Sequence, residues 1–209
     1  GRWQELQRQA TTAQLYDVDV RILDKDQIKK DYPIINTDEV IGGILMPGDG
    51  AADPSGVTHM LAKGARMEGV KIFEKSPVDE ILTKDGKISG VKVNGQTINC
   101  EYIVLASGMW SRQIAEKVGV SVPLYPAEHF YIITEPIENL SKTLPVIRDF
   151  DNRTYIKEDA GKILVGIFEG NSIPAWNKTN KVPENFSFGE FQENFEHFEP
   201  YLASAIKRF

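Results

Sequence analysis

Tyr102-Ile103-Val104-Leu105-Ala106-Ser107-Gly108 is an unbroken apolar run that closes on three small residues. Such a run reads as a strand buried on both faces of a parallel sheet, and ligands of open α/β sheets bind outside the carboxyl ends of these strands. Small residues there let a ligand approach the backbone, although tight strand–helix packing would ask for the same residues. After the run, the spacing predicts a helix from about Trp110 to Val118, closed by Gly119. Before it, Val78–Leu82, Ile88–Val93 and Gln96–Ile98 are short strands parted by turn-forming Asp85-Gly86 and Asn94-Gly95, a three-stranded meander. Further upstream Asp53-Pro54 starts a helix with Val57, Leu61, Ala62 and Ala65 on one face, Gly69 ends it, and Val70 to Phe73 reads as a buried strand.

On the amino-terminal side the pattern predicts a helix over Gln4–Gln14, a strand over Val18–Leu23, a short helix over Asp26–Tyr32 ended by Pro33, and a strand entering the glycine-rich turn Gly42 to Gly50. Beyond Pro123 the period becomes two. Phe130–Ile133, Val146-Ile147, Arg153–Lys157 and Lys162–Phe168 read as antiparallel strands, the last two joined by a turn at Glu158 to Gly161. After a loop from Asn171 to Asn185, Phe188, Phe191, Phe195 and Phe198 form a stripe at helical spacing, with Pro200 separating it from a last helix over Tyr201–Arg208.

Composition removes several classes of function. With 24 Lys and Arg against 30 Asp and Glu the net charge is −6, which repels a phosphate backbone, so no nucleic-acid partner is expected. No apolar run approaches the ~20 residues of a membrane span, and the chain reads as soluble with no membrane partner. A lone Cys100 excludes a disulfide framework and a thiolate metal site. The glycines of 42–50 lack both the Walker and the G-x-G-x-x-G spacing, and no G-x-S-x-G or Cys–His pattern supports a hydrolytic nucleophile. No metal ligand set is expected.

Of three histidines, His59 on the predicted helix and His197 near the carboxyl end read as structural or solvated. His129 shares a strand face with Tyr131 and Ile133, and the neighbouring strand puts Arg153, Tyr155 and Lys157 on one face, so a His, a Tyr and cations can meet in a cleft suited to a small anion. Sheet edges also carry polar residues for solubility alone.

Three segments resemble the FAD-dependent amine oxidoreductases with a D-amino-acid-oxidase-type fold, within them the dimethylglycine and sarcosine dehydrogenase group. They are Pro47–Pro54 continuing through Leu61–Arg66, Gly69-Val70 and Pro77-Val78; Tyr102–Ser111; and Pro123–Pro126 with His129, Tyr131, Thr134–Pro136, Leu144–Asp149 and Tyr155. The resemblance implies an α/β (α+β) fold, with a partial FAD-binding Rossmann-like domain and an antiparallel-sheet substrate domain. Residues 1–50 would be substrate-domain segments, 51–121 the FAD-binding part with the meander, and 122–209 the antiparallel sheet and carboxyl-terminal helices.

It further implies oxidative demethylation of a small N-methyl amino acid, dimethylglycine or sarcosine, by hydride transfer to FAD, with electron-transfer flavoprotein or oxygen as acceptor. His129 and Tyr155 match the substrate-side His and Tyr of the group, Tyr131, Arg148 and Arg153 are candidate substrate contacts, and Val78, Ala106, Ser107, Gly108 and Trp110 would approach FAD. The G-x-G-x-x-G segment that grips the FAD pyrophosphate is not in this sequence, so an internal fragment that alone binds FAD poorly or not at all, and is inactive alone, is expected. The group also includes a regulatory subunit of a mitochondrial phosphatase, so a non-catalytic regulatory or scaffold protein on the same fold is the alternative. A bacterial cytoplasm and a mitochondrial matrix both fit.

Overall fold

Asp24 and Asp53 each stand one residue ahead of a helix and hold its first free amides. Asp24 accepts from the Asp26 and Gln27 amides, and Gln27 reciprocates on the Asp24 amide at 2.9 Å. Asp53 accepts from the Ser55 and Gly56 amides, with Pro54 in the first turn where its missing N–H costs nothing. In chain order the computed structural model, which describes residues 1–209, runs α1 (Arg2–Gln14), β1 (Arg21–Leu23), α2 (Lys25–Asp31), β2 (Gly43–Leu45), α3 (Pro54–Met67), β3 (Val78–Lys84), β4 (Lys87–Val93), β5 (Gln96–Asn99), α4 (Ser111–Glu116), β6 (Tyr131–Ile133), β7 (Ile147–Asp149), β8 (Thr154–Asp159), β9 (Lys162–Ile167) and α5 (Phe195–Arg208). Mixed helix and antiparallel sheet is thus the observed class.

The chain divides into two compact units. The first comprises Gly1–Ala52, His129–Ser172 and Gln192–Phe209. It holds the two-stranded sheet β1-β2 and the four-stranded antiparallel sheet β6-β9-β8-β7. Alternation along those strands sends Ile132, Ile147, Ile156, Ile163 and Val165 to one face, where Ala205 of α5 and Leu140 complete the core. The last turn of α5 is fastened by Arg208, which donates to Asp149 Oδ2 and to the Asn36 carbonyl at 2.9 Å, while the Asn36 amide donates back to the Arg208 carbonyl at 2.6 Å.

The second unit comprises Asp53–Glu128 and Ile173–Phe191. The meander β3-β4-β5 forms as the turns predict, with Asp85, Gly86, Asn94 and Gly95 all at positive φ. Ile173–Phe191, grouped by the sequence reading with the carboxyl-terminal sheet, instead lies here. The Glu128 amide donates to the Ile173 carbonyl, and the Trp110 indole, Arg112 and Gln113 donate to the carbonyls of Pro183, Asn180 and Val182.

Several expectations are not met in this chain. Tyr102–Gly108 is not a strand: nothing in this chain pairs with it, and Tyr102 and Val104 are 86% and 90% exposed. Val70–Phe73 is likewise unpaired and exposed, and the apolar face of α3 has no buried residue. A fully buried strand exists only between neighbours, which sequence periodicity presupposes without supplying. The Phe stripe breaks because Phe191 joins Trp176 and Phe186 in an aromatic cluster within the second unit, so the helix begins only at Phe195. Pro200 does not split that helix, which runs through it from Phe195 to Arg208. At the amino-terminal end, the strand expected over Val18–Leu23 shortens to Arg21–Leu23.

Burial pushes the Asp149 carboxyl upward, but hydrogen bonds from the Asn152 amide and side chain and the charge and hydrogen bond of Arg208 outweigh it and hold the pKa below the ordinary value. A depressed folded pKa contributes stability that is present above the unfolded value of about 3.9 and is lost as pH falls through the folded one. Asp149→Asn is therefore expected to lower the urea midpoint at neutral pH, with the gap to the parent chain closing below about pH 4.

Candidate functional site

The face of the four-stranded sheet opposite the core carries the candidate site. Counting out from the hairpin turn at Ala160-Gly161, Tyr155 falls opposite Gly166, and the register continues across all four strands: Tyr131, Gly166, Tyr155, Arg148. Residues in register share a face, so this row places two phenols and a guanidinium side by side. His129 lies two residues before Tyr131, where the Ile167 amide still donates to the Phe130 carbonyl and keeps the segment in line with β9.

His129 Nε2 and the Tyr155 hydroxyl are 3.1 Å apart. With the imidazole proton on Nδ1, the phenol donates to Nε2. The two ring planes are nearly parallel, at 3°, and Phe168 packs against both, at centroid distances of 5.6 Å from His129 and 5.2 Å from Tyr155. What lets the Tyr155 ring lie over β9 is Gly166: a Cβ at that position would overlap the Tyr155 ring and hydroxyl. Burial first, and then the neighbouring Tyr131 and Glu169, push the Tyr155 pKa above its ordinary value, so the phenol keeps its proton.

Arg148 is exposed and its guanidinium sits over the Phe168 ring at 4.3 Å and the Phe150 ring at 4.9 Å. It makes no ion pair with a carboxylate of the chain. Two aromatic faces hold the cation without neutralising it, which leaves its planar donors for an anion. The expected partners of Tyr155 on β8 divide differently. Arg153 adopts a left-handed backbone, φ 55°, and rests its guanidinium against Gly170, while Lys157 is 3.7 Å from Asp159. Tyr131 is exposed at the end of the row.

The other histidines keep the roles the sequence suggested. His59 is exposed on α3, and His197 on α5 faces the buried Glu169 carboxylate at 3.8 Å. No group of three or more His, Cys, Asp or Glu could hold a metal ion. No helix is long and apolar enough to cross a membrane.

The candidate cofactor residues lie in the second unit. Val78 begins β3 and is exposed, as are Ala106 and Gly108, with Ser107 half-buried between them. Gly108 has φ +54° as the chain turns from the extended run into a 3-10 turn, a conformation that suits glycine. Small, exposed residues with free backbone fit the wall of a large planar cofactor. Trp110 is instead committed, its indole N–H donating to the Pro183 carbonyl at 3.2 Å.

Sequence reasoning missed Gly166, Phe168 and Phe150. The turn count that places Gly166 opposite Tyr155 was available in the sequence; the aromatic clamp on Arg148 was not, because it joins a strand end to the turn that follows another.

The whole chain, residues 1–209, matches the family model described as "DAO: FAD dependent oxidoreductase". It is 36% identical over 98% of its length to the 4-methylaminobutanoate oxidase (formaldehyde-forming) of Paenarthrobacter nicotinovorans, covering 24% of that protein. It is 31% identical over 99% of its length to human mitochondrial sarcosine dehydrogenase, covering 22% of it. It is also 31% identical over 90% of its length to the mouse mitochondrial pyruvate dehydrogenase phosphatase regulatory subunit, covering 21%. Among solved structures it superposes on the L-proline dehydrogenase of P. horikoshii with a TM-score of 0.74 and 26% identity, covering 91% of this chain and 48% of that one. The chain spans about a quarter or less of the length of these curated relatives.

Gly166→Ala is expected to swing the Tyr155 ring off the sheet. In a spectrophotometric titration of the phenols, the late-titrating component belonging to Tyr155 should move toward the ordinary tyrosine value of about 10. The His129 ring resonances should shift with it.

Proposed function

We propose, from the premise that the chain belongs to the FAD dependent oxidoreductase family, that it carries the substrate-binding face of an enzyme that oxidatively demethylates a small N-methyl amino acid, dimethylglycine or sarcosine. The observation that carries this reading is the row Tyr131, Gly166, Tyr155, Arg148 with His129 hydrogen-bonded to its central phenol. Two relatives support the substrate class by name, one acting on sarcosine and one on 4-methylaminobutanoate with release of formaldehyde. Both substrates join an N-methyl amine to a carboxylate.

In this reading Arg148 takes the carboxylate, because its guanidinium is held and oriented but not paired. Arg153 is a weaker candidate for that contact, since it is turned onto Gly170. An N-methyl ammonium must lose a proton before its methyl carbon can give up hydride. Tyr155 and His129 suit that task as a relay: the phenolic oxygen accepts the ammonium proton while its own proton passes to His129 Nε2 across the 3.1 Å hydrogen bond. The raised Tyr155 pKa favours a phenol that conducts a proton over one that ionises alone. Tyr131 bounds the site on the far side of Gly166 and limits the size of the N-substituent. FAD, when bound, would accept the hydride, and Val78, Ala106, Ser107 and Gly108 are the residues assigned to its wall.

The test is anaerobic titration of the full-length, FAD-loaded polypeptide with dimethylglycine and with sarcosine, following loss of flavin absorbance. Bleaching by one of them is expected. Tyr155→Phe and His129→Ala should each slow the reductive step by roughly 10²- to 10³-fold and flatten its dependence on pH, the size expected for loss of a general base. Arg148→Met should chiefly weaken substrate binding. Bound FAD that neither compound bleaches would overturn both named substrates and turn the reading to another secondary amine or, failing that, to the regulatory alternative.

A further inference from the structure

α5 packs on the core face of the four-stranded sheet, and each of its ends makes a charged contact with a residue that is next in chain to one on the site face. At the carboxyl end Arg208 meets Asp149, the neighbour of Arg148. At the amino end the Asn194 side chain accepts from the His197 amide and caps the helix, which sets His197 in the first turn. The His197 imidazole lies 5.1 Å, centroid to centroid, from the Phe130 ring, and its Nε2 lies 3.8 Å from Oε1 of Glu169. Phe130 follows His129, and Glu169 follows Phe168. Successive side chains of an extended chain point to opposite faces, so His129 and Phe168 stand on the site face while Phe130 and Glu169 turn toward α5.

The Glu169 side chain is 2% exposed, and no Lys or Arg pairs with it. Glu169 Oε1 and His197 Nε2 are both buried, and neither has a hydrogen-bond partner. A carboxylate so far removed from water is costly unless a proton or a cation faces it. With the imidazole proton on Nε2 the contact is attractive, whereas a bare Nε2 would set two lone pairs against each other out of reach of water. We infer that Glu169 and His197 are positioning residues for the site: the pair fixes, from the core side, the strand ends that carry Phe168 and His129, and so holds His129 Nε2 at the Tyr155 hydroxyl. Phe168 is the ring that touches His129, Tyr155 and Arg148 alike, and the Ile167 amide donates to the Phe130 carbonyl, so a shift of either strand end moves the site as a whole. The charge of Glu169 also reaches the site, since after burial and Tyr131 it is the remaining influence that raises the Tyr155 pKa. This assignment rests on the relay role proposed for His129 and Tyr155.

The test uses the full-length, FAD-loaded polypeptide. His197→Leu keeps apolar bulk against Phe130 but removes the N–H; it is expected to slow the reductive step by roughly 10- to 10²-fold, the cost of a small misplacement of a reacting group, and to displace the His129 ring nitrogen resonances. His197→Gln returns an N–H near the place of Nε2 and is expected to restore most of the rate and the parent His129 resonances. Glu169→Leu should match His197→Leu, and the double variant should lose no more than either, because the two act as one unit. Imidazole nitrogen spectra of the parent protein, with His197 assigned by its absence in His197→Gln, are expected to show a proton on Nε2. A bare Nε2 would overturn the pair whether or not the Leu variants fold, and equal losses in His197→Gln and His197→Leu would overturn it as the mark of packing alone. His129→Ala is measured beside them: if it is slowed while His197→Leu keeps the parent rate, the positioning role fails by itself, whereas His129→Ala at the parent rate overturns the relay reading instead. Where neither compound reduces the flavin, His129 resonances that stay in place in His197→Leu overturn the positioning role.

Discussion

Side chains on a β-strand point alternately to its two faces, and in the sheet β6-β9-β8-β7 this alternation separates structure from chemistry. Ile132, Ile147, Ile156 and Val165 go one way and meet α5. Tyr131, Arg148, Tyr155 and Gly166, each one residue from a core position, go the other way and form an open row. A slip of one residue in any strand would exchange the two sets, burying a guanidinium and exposing an isoleucine, so burial of the core fixes the geometry of the site. The site needs no separate scaffold.

On that face, two features do what strand register alone cannot. Gly166 is the one position of the row without a side chain, and the Tyr155 ring occupies the space so freed, which brings its hydroxyl to His129. Phe150 and Phe168 hold Arg148 through their ring faces, an attraction that positions a cation yet leaves its hydrogen-bond donors free. A carboxylate partner within the chain would have cancelled the charge and made the arginine structural, as Asp149 does for Arg208 at 3.1 Å. Neighbouring residues on β7 thus carry opposite uses of the same pairing chemistry.

Several segments have the composition of buried structure and are nonetheless exposed in this chain. Tyr102 and Val104 in the apolar run over Tyr102–Gly108, and Val57, Met60 and Leu61 on α3, are all exposed. Helix caps, hairpin turns and the meander form regardless, because their interactions lie within a few residues of one another. Sheet membership does not, because it depends on strands far away in sequence.

Turn chemistry, caps and alternation were legible in the amino-acid sequence: Asp53-Pro54, Asn94-Gly95 and the strands on either side of Ala160-Gly161 lie where local rules put them. The grouping of His129 with Tyr155 was legible too, through residue types and a resemblance to known flavoproteins. The sequence by itself could not choose between Arg148 and Arg153: Arg153 lies two residues from Tyr155 and shares its expected face, while Arg148 lies on a neighbouring strand whose register exists only once the sheet has formed. The left-handed turn at Arg153 and the aromatic pair around Arg148 made that choice, and both are contacts between segments. Local hydrogen bonds and periodicity determine elements at a range of a few residues, whereas the direction of a charged side chain is decided by whichever distant surface lowers its energy most, and that surface exists only once the sheet has formed.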